Sequence, residues 1–132
     1  MKAASDQQYL IAEIGNVKFG IPLSMVSNVG TLTELDADRL ERESLYEWHG
    51  VHYPRWNISG VKHTAIAGDS VLLLETGSDR RAFACSPRLV SRKAERLLMI
   101  PEKLRRMHPA VCQAFFDDDE LVHCIATGGA IG

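Results

Sequence analysis

The stretch FGIPLSMVSNV, Phe19–Val29, decides the fold of this chain. Its first residues continue a run in which apolar side chains alternate with polar or small ones, the pattern of a half-buried β-strand. Pro22 has no N–H to donate, so we expect sheet pairing to end there. Leu23–Val26 then predicts one short helical turn, and Ser27–Leu32 predicts another strand. The stretch therefore indicates short strands with tight connections.

Hairpin signals lie on both sides of this stretch. Gly15-Asn16 separates two mostly apolar runs, and both residue types accept the positive φ angles of a tight turn. Gly77–Asp79 and the acidic Asp117–Glu120 separate two further pairs of apolar runs. Pro87 interrupts what would otherwise be one long strand. About eight to ten short strands follow, which is typical of a β-barrel or a β-sandwich.

A second informative stretch is WHGVHYPRWNIS, Trp48–Ser59. Strand patterns cover Leu45–His49 and Val51–Ile58. Ser59–Ser70 contains three glycines and no clear period, so it predicts a loop between two halves of the chain.

The two tryptophans of this region have different expected environments. In Val51–Ile58, alternation places Trp56 on one face with Pro54, and Tyr53 on the opposite face. We expect Trp56 to lie in the core. Trp48 is compatible both with a core position and with an anchor in an interface.

Two segments carry helical signals. Glu34–Glu43 has oppositely charged side chains three and four residues apart, which indicates a short solvated helix or a charged loop. Pro101–Met107 begins with proline and has acidic residues early and arginines late, an order that favours a short helix.

The composition is that of an ordinary globular protein. The 132 residues predict one domain, or two small subdomains with a shared core. A net charge of −2 does not favour nucleic acid or an anionic membrane as partner. Three cysteines without framework spacing suit a reducing cytosol. The longest apolar run, Val71–Leu74, is too short to span a bilayer. We expect a cytoplasmic protein without membrane insertion.

The ordered series of these features resembles the CheW-like domain family, the coupling adaptors of bacterial chemotaxis. In that family an aromatic-Gly-Ile strand is followed by a helical turn and a valine. A later strand ends at a glycine, the next contains a proline, and the last hairpin has an acidic turn. The matching segments are Phe19–Ile21 with Val26, Glu47–Gly50, Pro54–Ser59, Val71–Leu74, Phe83–Val90 and Asp117–Glu120.

The resemblance implies an all-β fold with minor helix. It implies two SH3-like five-stranded β-barrel subdomains that share a core, with a boundary near residues 59–70. It also implies a non-enzymatic adaptor in two-component signal transduction. Its partners would be the regulatory domain of a CheA-type histidine kinase and the cytoplasmic tip of chemoreceptors. The runner-up is a divergent CheW-like module with another partner, such as in a pilus or twitching chemosensory pathway.

The chain departs from the family pattern before Gly50, where the family has an arginine and this chain has His49. An arginine fork is always charged and binds a carboxylate in two places. A histidine side chain is mostly neutral at cytosolic pH. We therefore expect a weakened receptor contact at His49. Asn57, Ser59 and Pro87 are further departures.

We expect a protein-binding surface with contributions from both halves. The second half has an excess of arginines, which would suit an acidic partner, although a solvated mixed-charge surface is the simpler interpretation. Aromatic residues are not interleaved with these arginines, so nucleic-acid binding is not expected. The predicted partner-binding residues are Val26, Asn28, Trp48, His49, Arg55, Arg80 and Arg88.

Catalytic and metal-binding patterns are not visible in the sequence. His123 and Cys124 are neighbours on a strand and point to opposite faces, and no two-pair Cys/His spacing exists. A nucleophile at Cys85 or Cys112 has no recognisable base and orienting partner. The acidic turn lacks calcium-loop spacing, and no phosphate loop occurs. We therefore expect no enzyme activity, no metal and no cofactor.

Overall fold

The computed structural model of the chain describes residues 8–57, 63–94, 97–99 and 111–125. These residues form eleven β-strands, one α-helix and a short 3-10 turn. In chain order the elements are β1 (Gln8–Ile14), β2 (Val17–Pro22), the 3-10 turn (Leu23–Met25), β3 (Val26–Thr31), α1 (Glu34–Glu43), β4 (Leu45–Trp48), β5 (Val51–Pro54), β6 (Ser70–Thr76), β7 (Asp79–Cys85), β8 (Leu89–Lys93), β9 (Leu98–Met99), β10 (Val111–Asp117) and β11 (Glu120–Ile125).

The strands form three sheets. One has six strands in the order β8-β1-β2-β11-β10-β9, and all its neighbours are antiparallel except the parallel pair β2–β11. The second has the order β3-β6-β7, and the third is the hairpin β4–β5. A parallel bridge between Arg55 and Ala82 joins the end of β5 to β7. The expectation of an all-β fold with minor helix is confirmed.

The predicted hairpin turns lie where the sequence places them. Gly15-Asn16 joins β1 to β2, Gly77-Ser78 joins β6 to β7, and Asp118-Asp119 joins β10 to β11. Gly77, Asp118 and Asp119 have φ angles of 57°, 50° and 67°, as tight two-residue turns require. Pro22 ends β2, and the helical turn predicted after it is the 3-10 turn.

Helix α1 resolves the open question about the charged segment. Its first turn is held by a capping box: the Asp36 amide donates to Thr33 Oγ1 at 3.1 Å, and the Asp36 carboxylate accepts from the Thr33 amide. Ser44, in the left-handed conformation with φ 55°, ends the helix. Ala37 and Leu40 are the buried residues of the helix, and most of its charged residues are exposed.

The β4–β5 hairpin is shorter than predicted, because β4 ends one residue earlier and β5 ends at Pro54. After Pro54 the backbone leaves the hairpin ladder: the Arg55 amide donates to Ser44 O at 2.8 Å, and the Trp56 amide donates to Ala82 O at 2.9 Å. Strand alternation stops at this crossing. The core position of Trp56 is confirmed, and Tyr53 is also buried, in a different core cluster.

The largest core cluster contains side chains from two sheets. It combines β1 and β2 of the six-stranded sheet with β6 and β7 of the three-stranded sheet, and Trp56 closes it. A second cluster lies under α1, and a third is formed mainly by side chains of β1, β10 and β11 in the six-stranded sheet. The division into two five-stranded barrels near residues 59–70 stays a prediction. Residues 63–69 of that segment have neither helix nor strand. The predicted helix Pro101–Met107 lies outside the described residues.

Candidate interaction surface

Four of the seven predicted partner-binding residues lie at one end of the β3–β7 part of the fold. β7 starts at the Gly77-Ser78 turn, and β5 runs parallel to β7, so the β4–β5 turn points to the same end. β3 is antiparallel to β6 and therefore begins there as well. We call this surface the hairpin end and define it by Val26, Trp48, His49 and Arg80.

The β4–β5 turn presents an aromatic pair at the hairpin end. His49 and Gly50 are its two central residues, with φ angles of 50° and 78°, so His49 lies in the turn and not in the predicted strand. The ring of exposed His49 meets the ring of Trp48 edge-on at 4.3 Å between centroids. Trp48 is half-buried against the cluster under α1, which combines both environments predicted for it. The turn thus presents the half-buried, apolar Trp48 ring beside the exposed, polar His49 side chain.

A buried tyrosine links β5 to β6 at the hairpin end. The Tyr53 hydroxyl donates to Glu75 Oε2 at 3.0 Å, and Glu75 is the cross-strand neighbour of Arg80. Burial, followed by the hydrogen bond and negative charge of Glu75, raises the pKa of Tyr53. Val26 is half-buried against the largest core cluster, and Arg80 is exposed. The hairpin end therefore has an apolar base and an exposed guanidinium, a combination suited to protein binding.

Asn28 lies in the middle of the edge strand β3. Its side-chain oxygen accepts the Val29 amide hydrogen at 2.9 Å. An edge strand carries backbone groups that another chain can pair with, and a side chain that covers one of them limits such pairing. Asn28 is partly exposed, and its predicted contact with a partner stays a prediction.

Arg55 is committed to contacts inside the molecule. Its side chain is 8% exposed, and its guanidinium donates to Glu41 Oε2 at 2.7 Å and to the His63 carbonyl. Glu41 Oε2 also accepts the Ala65 amide hydrogen at 2.6 Å. The Ala65 hydrogen bond, together with Arg55, lowers the pKa of Glu41 against the opposing effect of burial. This network ties α1 and the segment around residue 65 to the end of β5.

Sequence reasoning singled out Arg55 but missed its partner Glu41. The two residues are 14 positions apart, and Glu41 is one of several acidic residues on the helix. The signal available in the sequence was an arginine next to a core tryptophan, because a charge in that position needs a partner.

Arg88 lies at the opposite end of β7 from Arg80. The Ser86 amide donates to Glu13 O at 2.9 Å just after β7, and Leu89 pairs with Ala12. The seven predicted residues thus lie in three places. Four form the hairpin end, Asn28 and Arg55 lie level with the Leu73–Ala82 pair in the middle of β6 and β7, and Arg88 lies beyond the end of β7.

Groups of three or more metal-binding side chains and helices able to span a bilayer are absent from the described ranges. There, no group of three or more His, Cys, Asp or Glu side chains is arranged to hold an ion. No helix in these ranges is long and apolar enough to cross a bilayer.

Cys85 is expected to resist thiol reagents. It is fully buried, and burial, reinforced by the negative charge of Asp69, raises its pKa to about 12. At pH 8 a variant with Cys112 and Cys124 replaced by serine should react with Ellman's reagent roughly a thousandfold more slowly than a free cysteine. The same variant in concentrated guanidinium provides the control and should react at the ordinary rate. Native labelling within tenfold of that rate would contradict a buried, inert thiol.

Comparisons with known proteins show which known fold the chain has. No protein-family model matches the chain, and no curated protein sequence matches it significantly. Among solved structures, the chain is similar to the scaffolding protein TtCheW from Thermoanaerobacter tengcongensis. The TM-score is 0.65 at 10% sequence identity, and the match covers 93% of this chain and 90% of that one. The chain therefore has a CheW-like, all-β fold.

Proposed function

We propose that the chain is a non-enzymatic adaptor that couples chemoreceptors to a CheA-type histidine kinase in bacterial chemosensory signalling. The observation that carries this proposal is the fold, which matches that of a scaffolding protein over 93% of the chain. The proposed site of action is the cytoplasm, where receptor tips and the kinase are located. The interaction surface we propose is the hairpin end, extended by Asn28.

The composition of the hairpin end supports protein binding. Trp48 is a large aromatic side chain that is partly exposed, and such residues often dominate interface energies. Arg80 is exposed at the same end of the fold and can pair with a carboxylate on a partner. Arg55 acts within the protein by positioning α1 and β5, and Arg88 would contact a partner only at a separate place.

Titration calorimetry tests the proposal with two purified partners from the same organism, the regulatory domain of its CheA-type kinase and a receptor-tip fragment. We expect binding to the kinase domain, weakened about tenfold or more by Trp48→Ala. Leu35→Ser is the matched control, because Leu35 is an exposed apolar residue on α1, outside the hairpin end. If the folded chain binds neither the kinase domain nor the receptor-tip fragment, the proposed coupling role is wrong.

His49→Arg is expected to strengthen binding to a receptor tip a few-fold, by about 0.5–1 kcal/mol. The gain would come from a charged, two-pronged contact that histidine cannot make when neutral. His49→Ala should change the affinity little. Calorimetry against a receptor-tip fragment measures both. Because position 49 has a positive φ, the thermal midpoint of each variant is recorded separately. Equal affinity of wild type and His49→Arg would show that His49 does not weaken a receptor contact.

A divergent adaptor with a different partner is the second candidate function. The exposed His49 at the place of the family arginine favours it, because receptor binding would lose a charged contact there. Binding to a kinase of a pilus-type chemosensory pathway, without binding to a receptor tip, would support this second function over the first.

A further inference from the structure

An exposed apolar patch lies far from the hairpin end, on the outer face of β9, β10 and β11. Phe116 and Leu121 are direct cross-strand partners, and they are 63% and 41% exposed. Leu98, 40% exposed, pairs with Ala114, two residues before Phe116 on the same face of β10. Soluble monomers seldom leave neighbouring large apolar side chains so exposed unless the surface binds something. We call these three residues the β10 patch.

A cleft adjoins the β10 patch. It has a volume of about 460 Å³, and Leu98, Phe115 and Phe116 supply its apolar wall. Arg92, Lys93, Asp117 and Asp118 complete its lining. Arg92 is neutralised by Asp117, with 3.0 Å between Nε and Oδ1. Such a cleft can accept a side chain from a partner, which is how the central contacts of many interfaces are built.

The rim of the β10 patch is acidic at the β10–β11 turn. Two of its four acidic residues are neutralised, Asp117 by Arg92 and Glu120 by Lys18. Asp118 and Asp119 are exposed, and no ion pair to them is found among the described residues. Unpaired carboxylates next to an apolar patch favour a partner with cations next to its own apolar side chains.

The position of the β10 patch separates it from the hairpin end. β11 runs parallel to β2, so the Asp118-Asp119 turn points to the same end as the Gly15-Asn16 turn. The Ser86–Glu13 hydrogen bond brings the end of β7 to that side of the molecule. The hairpin end lies at the start of β7, and the seven residues of this strand span roughly 20 Å. The two surfaces therefore share no residue and lie towards opposite ends of β7.

We propose that the β10 patch is a docking surface for a protein segment whose apolar side chains are flanked by lysine or arginine. Its apolar side chains occupy the cleft between Leu98 and Phe116, and its cations lie over Asp118 and Asp119. This surface does not depend on the adaptor role, because it shares no residue with the hairpin end.

A nuclear magnetic resonance titration of the whole ¹⁵N-labelled chain tests the docking surface. The probe is an amphipathic peptide with leucines on one face and lysines on the other, and the comparison peptide has glutamate in place of every lysine. We expect the lysine peptide to shift the amide signals of Phe116, Leu121 and the Asp118-Asp119 turn. The glutamate peptide should bind at least about tenfold more weakly.

Variants separate the apolar from the electrostatic contribution. Phe116→Ser should lower the affinity for the lysine peptide about tenfold. Leu35→Ser, on α1, should leave this affinity unchanged. Asp118→Asn with Asp119→Asn keeps residues that tolerate positive φ, and should reduce both affinity and its dependence on salt.

Four results would overturn the docking proposal. They are equal binding of the two peptides, signal shifts confined to other surfaces, unchanged affinity in a folded Phe116→Ser variant, and dimerisation of the wild type that Phe116→Ser abolishes. The last result would assign the β10 patch to a second copy of the chain. Binding of the kinase and the receptor through the hairpin end is measured separately. The docking proposal can therefore fail while the adaptor proposal holds, and the reverse.

Discussion

Phe83→Ala is expected to lower the free energy of unfolding by about 3–5 kcal/mol, as truncation of a buried aromatic side chain does. Phe83 is 1% exposed in the core cluster that contains residues of two sheets. Its ring lies 6.4 Å from the ring of Phe19 on β2 and 5.5 Å from that of Trp56, between centroids. Truncation would remove contacts on both sides at once. Because typical domains are stable by only about 5–15 kcal/mol, the loss is a large fraction of the total.

Urea unfolding of the wild type and the variant measures this loss. Phe116→Ala is the matched control, since Phe116 is mostly exposed and should change stability by less than about 0.5 kcal/mol. If Phe83→Ala does not fold, Phe83→Leu keeps most of the volume and should cost less than about 1.5 kcal/mol. A shared core also predicts one cooperative transition rather than two. Two separate transitions, or a Phe83→Ala loss no larger than that of the control, would contradict the shared core.

Local features of the fold were predictable because short-range chemistry determines them. A Gly-Asn, a Gly-Ser and an acidic pair each supply turn conformations between apolar runs, and each forms the expected hairpin. Pro22 ends its strand because it lacks a donor. Gly20 has a reason that only the structure reveals. A Cβ there would approach Val122 Cγ1 to 3.1 Å and Tyr9 Cδ2 to 3.3 Å, so neighbouring strands require the small residue.

Long-range pairings were not predictable from one sequence. The parallel contact between β2 and β11 joins residues about a hundred positions apart, and no local pattern specifies it. The crossing after Pro54 follows from hydrogen bonds to Ser44 and Ala82, and alternation alone did not predict that Tyr53 is buried as well as Trp56. For the interaction surface, the residue types were identified but their grouping was not. Arg80 lies near the start of β7, whereas Arg88 lies beyond its end, although the sequence presents the two residues close together.

Arg55→Met is expected to destabilise the protein by about 2–3 kcal/mol. Breaking a fully buried ion pair costs about 3–5 kcal/mol, and a smaller loss is expected here because the Glu41 side chain is 36% exposed. The variant leaves Glu41 without its cation and the His63 carbonyl without the guanidinium donor. Arg42→Met is the control. Its partner Asp38 is 2.6 Å away, but both side chains are more than half exposed, so stability should hardly change.

The pH dependence of stability tests the same network through Glu41. Its pKa is lowered in the folded protein, so the folded state favours the ionised carboxylate. The resulting stabilisation is fully present above the pKa of the unfolded chain and is lost as the pH falls through the folded-state pKa. Glu41→Gln should therefore be less stable than wild type at pH 7, and the difference should shrink below about pH 4. A double-mutant cycle with Arg55→Met at pH 7 should show coupling, because the two side chains share one hydrogen bond. Additive losses, or a Glu41→Gln difference that stays constant down to pH 3, would show that this pair does not hold α1 against β5.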